Sequence, residues 1–146
     1  MKRDESLQPL SRDHHEALVL ARALRWAVED DPRAPPDPLA LLRGVWTEVL
    51  DSHLREEEEL LPPLMEPDEV SRLHREHAEL RKLCDDLLGG RVDDERLAAL
   101  STALHVHIRW EERVLFPRIE RDAPRALLDA VGRRLEAVAA TRPREA

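Results

Sequence analysis

One phrase occurs twice in this chain, and it constrains the fold more than anything else in it. Residues 53–64 read HLREEEELLPPL and residues 107–118 read HIRWEERVLFPR. The shared pattern is His-x-x-x-Glu-Glu-x-x-Leu-x-Pro. His53, Glu57, Glu58, Leu61 and Pro63 match His107, Glu111, Glu112, Leu115 and Pro117. A third match lies upstream of each copy, Arg12-Asp13-His14 before the first and Arg75-Glu76-His77 before the second. The chain is thus two halves, each a lone His followed by a His-x-x-x-Glu. Four histidines and two carboxylates in pseudo-symmetric halves are the donor set of a two-metal site in a helical bundle.

Composition agrees with helices. The 146 residues suit a single domain, with 42% hydrophobic and 37% charged residues, four glycines, one phenylalanine and no tyrosine. Leu, Ala, Glu and Arg dominate, which favours an all-α chain over strands. The formal charge of -8 excludes a nucleic-acid footprint. No apolar run reaches the ~18–20 residues of a membrane span, and the N-terminus lacks the apolar core of a secretion signal. A single cysteine, Cys84, forms no internal disulfide and fits a cytoplasmic location.

Prolines, glycines and acids divide the chain. The first helix is expected from about Leu10 to about Asp30, ended by Asp31-Pro32 and the Pro35-Pro36 linker. Asp37-Pro38 reads as cap and first turn of a second helix that ends near Pro62-Pro63. The third starts near Asp68-Glu69 and ends at Gly89-Gly90. Asp93-Asp94 opens a fourth that stops around Pro117. Asp122 and Pro124 open a shorter fifth, about 123–140, expected outside the bundle (about 10–118) or at a subunit contact. Short linkers imply antiparallel neighbours.

Apolar residues at helical spacing define the inward seams. The first runs Leu10, His14, Ala17/Leu18, Ala21, Leu24, Val28. The second is Leu39, Leu42, Trp46, Val49, His53, Glu57, Leu60 and Leu64. The third is Val70, Leu73, His77, Leu80, Cys84 and Leu87, and the fourth Leu97, Leu100, Leu104, His107, Glu111 and Val114. All six candidate ligands, His14, His53, Glu57, His77, His107 and Glu111, fall on these seams. His14 precedes the end of its helix by about as much as His53 follows the start of the next, and His77 and His107 are related in the same way. An antiparallel hairpin sets such pairs side by side.

Residues i and i+4 share a helix face, so His53/Glu57 and His107/Glu111 can each chelate at one point. Buried carboxylates and imidazoles are costly unless coordinated or paired. Two divalent cations would neutralise the acids and use the imidazoles as donors. Mixed N/O ligation suits iron, manganese, cobalt or zinc and poorly suits copper(I).

The order H…HxxxE…H…HxxxE, with Asp13-His14, Glu76-His77 and the closing Glu112-x-x-Leu115-Phe116-Pro117, resembles the hemerythrin-like HHE cation-binding family over about 10–117. The resemblance implies an up-down-up-down four-helix bundle holding a non-haem centre of two iron ions with an oxygen bridge, other divalent metals being the alternative. It implies His14, His53, Glu57, His77, His107 and Glu111 as ligands. It also implies O2, NO or peroxide as the partner, or a role in handling iron. A di-iron enzyme that decomposes peroxide in catalase-like fashion, or oxidises a substrate, is the competing expectation. The O2-carrying members have a second His where this chain has Leu73, and close with His-x4-Asp where this chain has His107-x3-Glu111 and then Glu112. Simple reversible O2 carriage loses ground accordingly.

The other histidines compete less well. His15 shares a wetter face with Arg22 and Glu29, His74 neighbours Arg81 and Asp85, and His105 is peripheral. Glu58 and Glu112 recur, so either can bridge or orient a ligand. Cys84 reads as a small buried hydrophobe. The pattern does not place Trp110. A ferritin-like Glu-x-x-His, an HExxH hydrolase motif and a phosphate loop are all absent from the sequence.

Overall fold

The computed structural model describes residues 2–142, and these are helical without strands. A single turn at Glu5–Leu7 leads into α1, Gln8–Val28. A second rod comprises α2 (Pro38–Val45), a π turn (Trp46–Leu50) and α3 (Asp51–Leu60). The third rod is α4, Pro67–Leu88. The fourth comprises α5 (Asp94–Trp110), a π turn (Glu111–Leu115) and α6 (Phe116–Asp122). The last is α7, Arg125–Ala140. No helix among the described residues is long and apolar enough to cross a membrane.

The expected caps set the helix ends. Asp37 accepts from the Ala40 amide and Asp93 from the Arg96 amide, each satisfying a donor of the first turn. At the start of α4, Glu66 and Glu69 exchange bonds in a capping box, so the helix opens at Pro67, just before the acids that signal it. At the C-termini, the backbone turns through Asp30 (φ 53°) and Gly90 (φ 100°). In both places the next amide reaches back, Asp31 to Trp26 O and Arg91 to Asp86 O, both at 2.9 Å.

The two π turns correct the sequence reading. In each, an amide bonds the carbonyl five residues back, Asp51 to Trp46 and Phe116 to Glu111. The wider turn absorbs one extra residue and rotates the helix beyond it. Val114, expected on the fourth seam, is therefore 57% exposed while Leu115 is fully buried. Val49 likewise yields the centre of its seam to Leu50. The fourth helix also does not stop around Pro117 but runs on to Asp122. A proline inside a helix lacks an N–H and presses on the preceding turn; the widened turn ahead of Pro117 breaks the ladder where the proline needs it. In the first copy, α3 ends at Leu60 and Pro62–Leu64 form a single 3-10 turn.

The rods pack lengthwise. Ser101 donates to Ala21 O (2.7 Å), Arg25 reaches Thr102, and Arg3 donates to Glu112 O, so α1 and the fourth rod run in opposite senses. Glu76 meets His107, and Arg72 lies over Trp110, so α4 and the fourth rod do the same. Apolar side chains form two clusters. One holds Leu20, Leu24, Leu54, Cys84 and Leu104 with their neighbours; the other holds Leu10, Leu60, Leu73, Leu115 and Phe116. Each fully buried Leu contributes ~1.5–3 kcal/mol relative to exposure.

α7 belongs to the second cluster through Leu128, Val131 and Leu135, together with Leu7 of the N-terminal turn. It closes that end of the molecule rather than lying apart from it. Gly132 makes the approach possible: a Cβ there would sit 2.6 Å from the Ser6 Cβ.

Candidate metal centre

The layer between the two apolar clusters holds the six seam residues that are not apolar. His14 follows Leu10 and precedes Ala17, His77 lies between Leu73 and Leu80, and His107 between Leu104 and Leu115. His14, His53, Glu57, His77, His107 and Glu111 are all buried, none more than 4% exposed. Their donor atoms fall into two overlapping groups, His14/His53/Glu57/Glu111 and Glu57/His77/His107/Glu111, each within 4.8 Å. Both groups contain both glutamates.

Outward of this layer, each of its four histidines has its Nδ1 on a carboxylate. His14 Nδ1 donates to Glu112 (2.6 Å), His53 Nδ1 to Asp13 (2.9 Å), His77 Nδ1 to Glu58 (2.5 Å) and His107 Nδ1 to Glu76 (2.8 Å). An ionised carboxylate only accepts, so Nδ1 carries the proton and Nε2 is free to face inward. The Nε2 atoms do so: His14 Nε2 lies 2.8 Å from Glu111 Oε1, His77 Nε2 2.9 Å from Glu57 Oε1, and His107 Nε2 3.3 Å from Glu111 Oε1.

Three atoms of the inner layer have no hydrogen-bond partner: His53 Nε2, Glu57 Oε2 and Glu111 Oε2. His53 Nε2 is 3.2 Å from Glu57 Oε2, but the contact lacks hydrogen-bond geometry. Orphaned buried polar atoms are rare and costly. Two donors ~2.1 Å from one ion and ~90–110° apart are ~3.0–3.4 Å from each other. The inner contacts, at 2.8 to 3.6 Å, bracket that separation. The residues present therefore fit bound cations, with two imidazoles and two carboxylates available to each group.

The electrostatics point the same way. Burial disfavours a charged His53, yet the Glu57 carboxylate and the Asp13 hydrogen bond outweigh it and push the imidazole up to about 10. His107 is likewise raised against the opposition of burial, by Glu111 first and then Glu57 and Glu76, and His14 by Glu111 and Glu112. Burial pushes Glu57 up, but the charge of His53 and the nearby His107 imidazole hold it well below the usual range. Six carboxylates, Asp13, Glu57, Glu58, Glu76, Glu111 and Glu112, surround four imidazoles. Such a field draws positive charge onto the inward nitrogens, as protons or as metal.

Glu58 and Glu112, expected to bridge or orient, sit on Nδ1 atoms and so orient. Sequence reasoning missed the same role for Asp13 and Glu76, although each directly precedes the lone His of its half; that matching offset was the available signal. It also missed Arg142, which donates to both oxygens of Asp13. His15, His74 and His105 are exposed and lie outside both groups. Leu73 is fully buried among leucines. Trp110 is buried, its ring 6.1 Å from that of His107 and beneath Arg72. Burial pushes the Cys84 thiol up to about 12, so it stays an inert core group.

Comparison with known families gives one finding: the model of the hemerythrin HHE cation binding domain matches residues 5–119. Neither curated proteins nor solved structures give a match.

Proposed function

The chain belongs to the hemerythrin HHE cation-binding domain family, and from that premise we propose that it is a non-haem di-iron protein of the up-down-up-down bundle type, which takes up O2, NO or peroxide or handles iron. One observation carries the reading. Four histidines, each tied at Nδ1 by its own carboxylate, aim Nε2 at a shared pair of glutamates that still has unpartnered oxygens.

His14 and His53 would hold one iron and His77 and His107 the other, with Glu57 and Glu111 common to both. Two irons so held supply redox-active, Lewis-acidic positions. The chain's own residues supply the rest. Asp13, Glu58, Glu76 and Glu112 fix the imidazole tautomers. The flanking leucines exclude water, which strengthens every charge interaction in the layer. With the inner six at most 4% exposed, a diatomic or peroxide-sized partner fits the site better than a bulky substrate.

Protein produced with iron tests this. The expected result is close to two irons per chain with visible charge-transfer absorption; zinc alone, or no metal, refutes it. Peroxide added to protein of known iron content then separates the roles. Sustained O2 release over many turnovers identifies an enzyme, and one stoichiometric oxidation a binder.

A further inference from the structure

Each of the four histidine–carboxylate pairs is closed by an arginine, and these arginines come from two different parts of the chain. Glu58 and Glu76, which hold His77 and His107, are met by Arg81 (2.8 Å) and Arg72 (2.9 Å), both on α4. Asp13 and Glu112, which hold His53 and His14, are met by Arg142 and Arg3, which lie outside the four rods. Arg142, just past α7, donates to both oxygens of Asp13 (2.7 Å each) and both of Glu56 (2.6 and 2.9 Å). It is only 12% exposed. Asp13 Oδ2 accepts from Arg142 and from His53 Nδ1 at once. Arg3 donates to the Glu112 carboxylate (3.1 Å) and carbonyl (2.7 Å).

The segments that carry these two arginines also hold each other. Arg125 of α7 forks onto Asp4 (2.7 and 3.0 Å), Ser6 packs against Gly132, and Leu7 shares a cluster with Leu128 and Leu135. They form one clasp over one half of the metal layer.

Resting on the two-cation reading, we infer that Arg142 and Arg3 are positioning residues for the His14/His53 cation position alone, whose affinity is set by docking of the segments flanking the rods, whereas the His77/His107 position is governed by α4. Without Arg142, buried Glu56 loses its arginine and Asp13 keeps only its bond from His53 Nδ1. Asp13, repelled by the uncompensated Glu56, then fixes His53 less firmly, and disturbing such an outer partner weakens metal binding about 10–100-fold. Segments packed on the outside of a bundle open at lower free energy than its core, so the clasped position exchanges its cation without the rods separating.

Cobalt(II) titration of the metal-free full chain, followed by its visible bands, tests this. The unmodified chain takes up two equivalents. Arg142→Ala weakens one of them about 10–100-fold and leaves the other unchanged, and Arg142→Lys, which keeps the charge, recovers part of the loss. His53→Ala added to Arg142→Ala removes the weakened equivalent and leaves the other unchanged, whereas adding His77→Ala instead removes the equivalent that Arg142→Ala left unchanged. Arg72→Ala weakens the opposite equivalent. If Arg142→Ala and Arg142→Lys, checked for fold by circular dichroism, weaken both equivalents alike or neither, the clasp is overturned. Uptake of fewer than two equivalents by the unmodified chain instead overturns the two-cation reading beneath it.

Discussion

His77 Nε2 lies 3.3 Å from His107 Nε2, with the two rings 70° apart and both Nδ1 atoms held by carboxylates. With both imidazoles neutral, two lone pairs converge on one spot. A proton between them serves that pair but leaves His53 Nε2 and an oxygen of each glutamate unpartnered. Cations shared by Glu57 and Glu111 would satisfy all of them together.

The shared glutamates therefore differ in consequence from the histidines. Glu57→Ala or Glu111→Ala is expected to abolish cation binding at both positions. His53→Ala is expected to cost one position and His107→Ala the other, while His105→Ala and His15→Ala leave two. Metal analysis of the purified variants checks this; a damaging His105→Ala places the centre elsewhere.

The six inner residues were legible because they recur at one spacing on otherwise apolar seams, and burial makes such polar residues conspicuous. Asp37, Asp93 and Gly90 were legible because capping is local chemistry. The π turns were not: nothing in Trp46–Leu50 or Glu111–Leu115 marks where the ladder widens, so an unbroken helical period puts Val114 inward in error. Arg142 was not legible either, because its partner Asp13 lies at the opposite end of the chain and the contact has no periodic signature. The fifth helix was found, but which face of the molecule it closes depends on those distant contacts.

The phase shift has a stability signature. Leu115→Ala, in a fully buried site, is expected to cost about 2–5 kcal/mol. Val114→Ala, on the exposed side of the π turn, is expected to stay within about 0.5 kcal/mol. Urea unfolding of metal-free protein measures both; the reverse order restores the unbroken helical seam.

Gly132→Ala sets two effects against each other. Alanine favours the helix by about 1 kcal/mol over glycine, but its Cβ meets Ser6 at 2.6 Å, and overpacking costs about 1–3 kcal/mol. The clash wins, so the variant is expected to melt lower. Thermal denaturation decides; a raised melting temperature shows that the N-terminal turn yields freely.

The metal-free chain is expected to melt highest between about pH 4.5 and 6.5. His53, pushed up to about 10 by Glu57 and Asp13 against burial, contributes stability that is complete below its unfolded pKa and is lost as pH rises through the folded one. Glu112 is opposed by burial but brought down to about 2 by His14, Ser11 and Arg3. Its contribution is complete above the ordinary carboxylate range and is lost as pH falls toward 2. Cation affinity runs the other way from His53, rising with pH as the imidazoles release the protons that metal must replace. A melting temperature of apo protein that is flat from pH 6.5 to 9 contradicts the first expectation, and metal affinity independent of pH the second.

Anomalous diffraction at the iron edge, from crystals of iron-loaded protein, reads the centre itself. Two peaks per chain are expected, one among His14, His53, Glu57 and Glu111 and one among Glu57, His77, His107 and Glu111. A single peak, or iron only at surface groups such as His105, contradicts a pair of cations joined by Glu57 and Glu111.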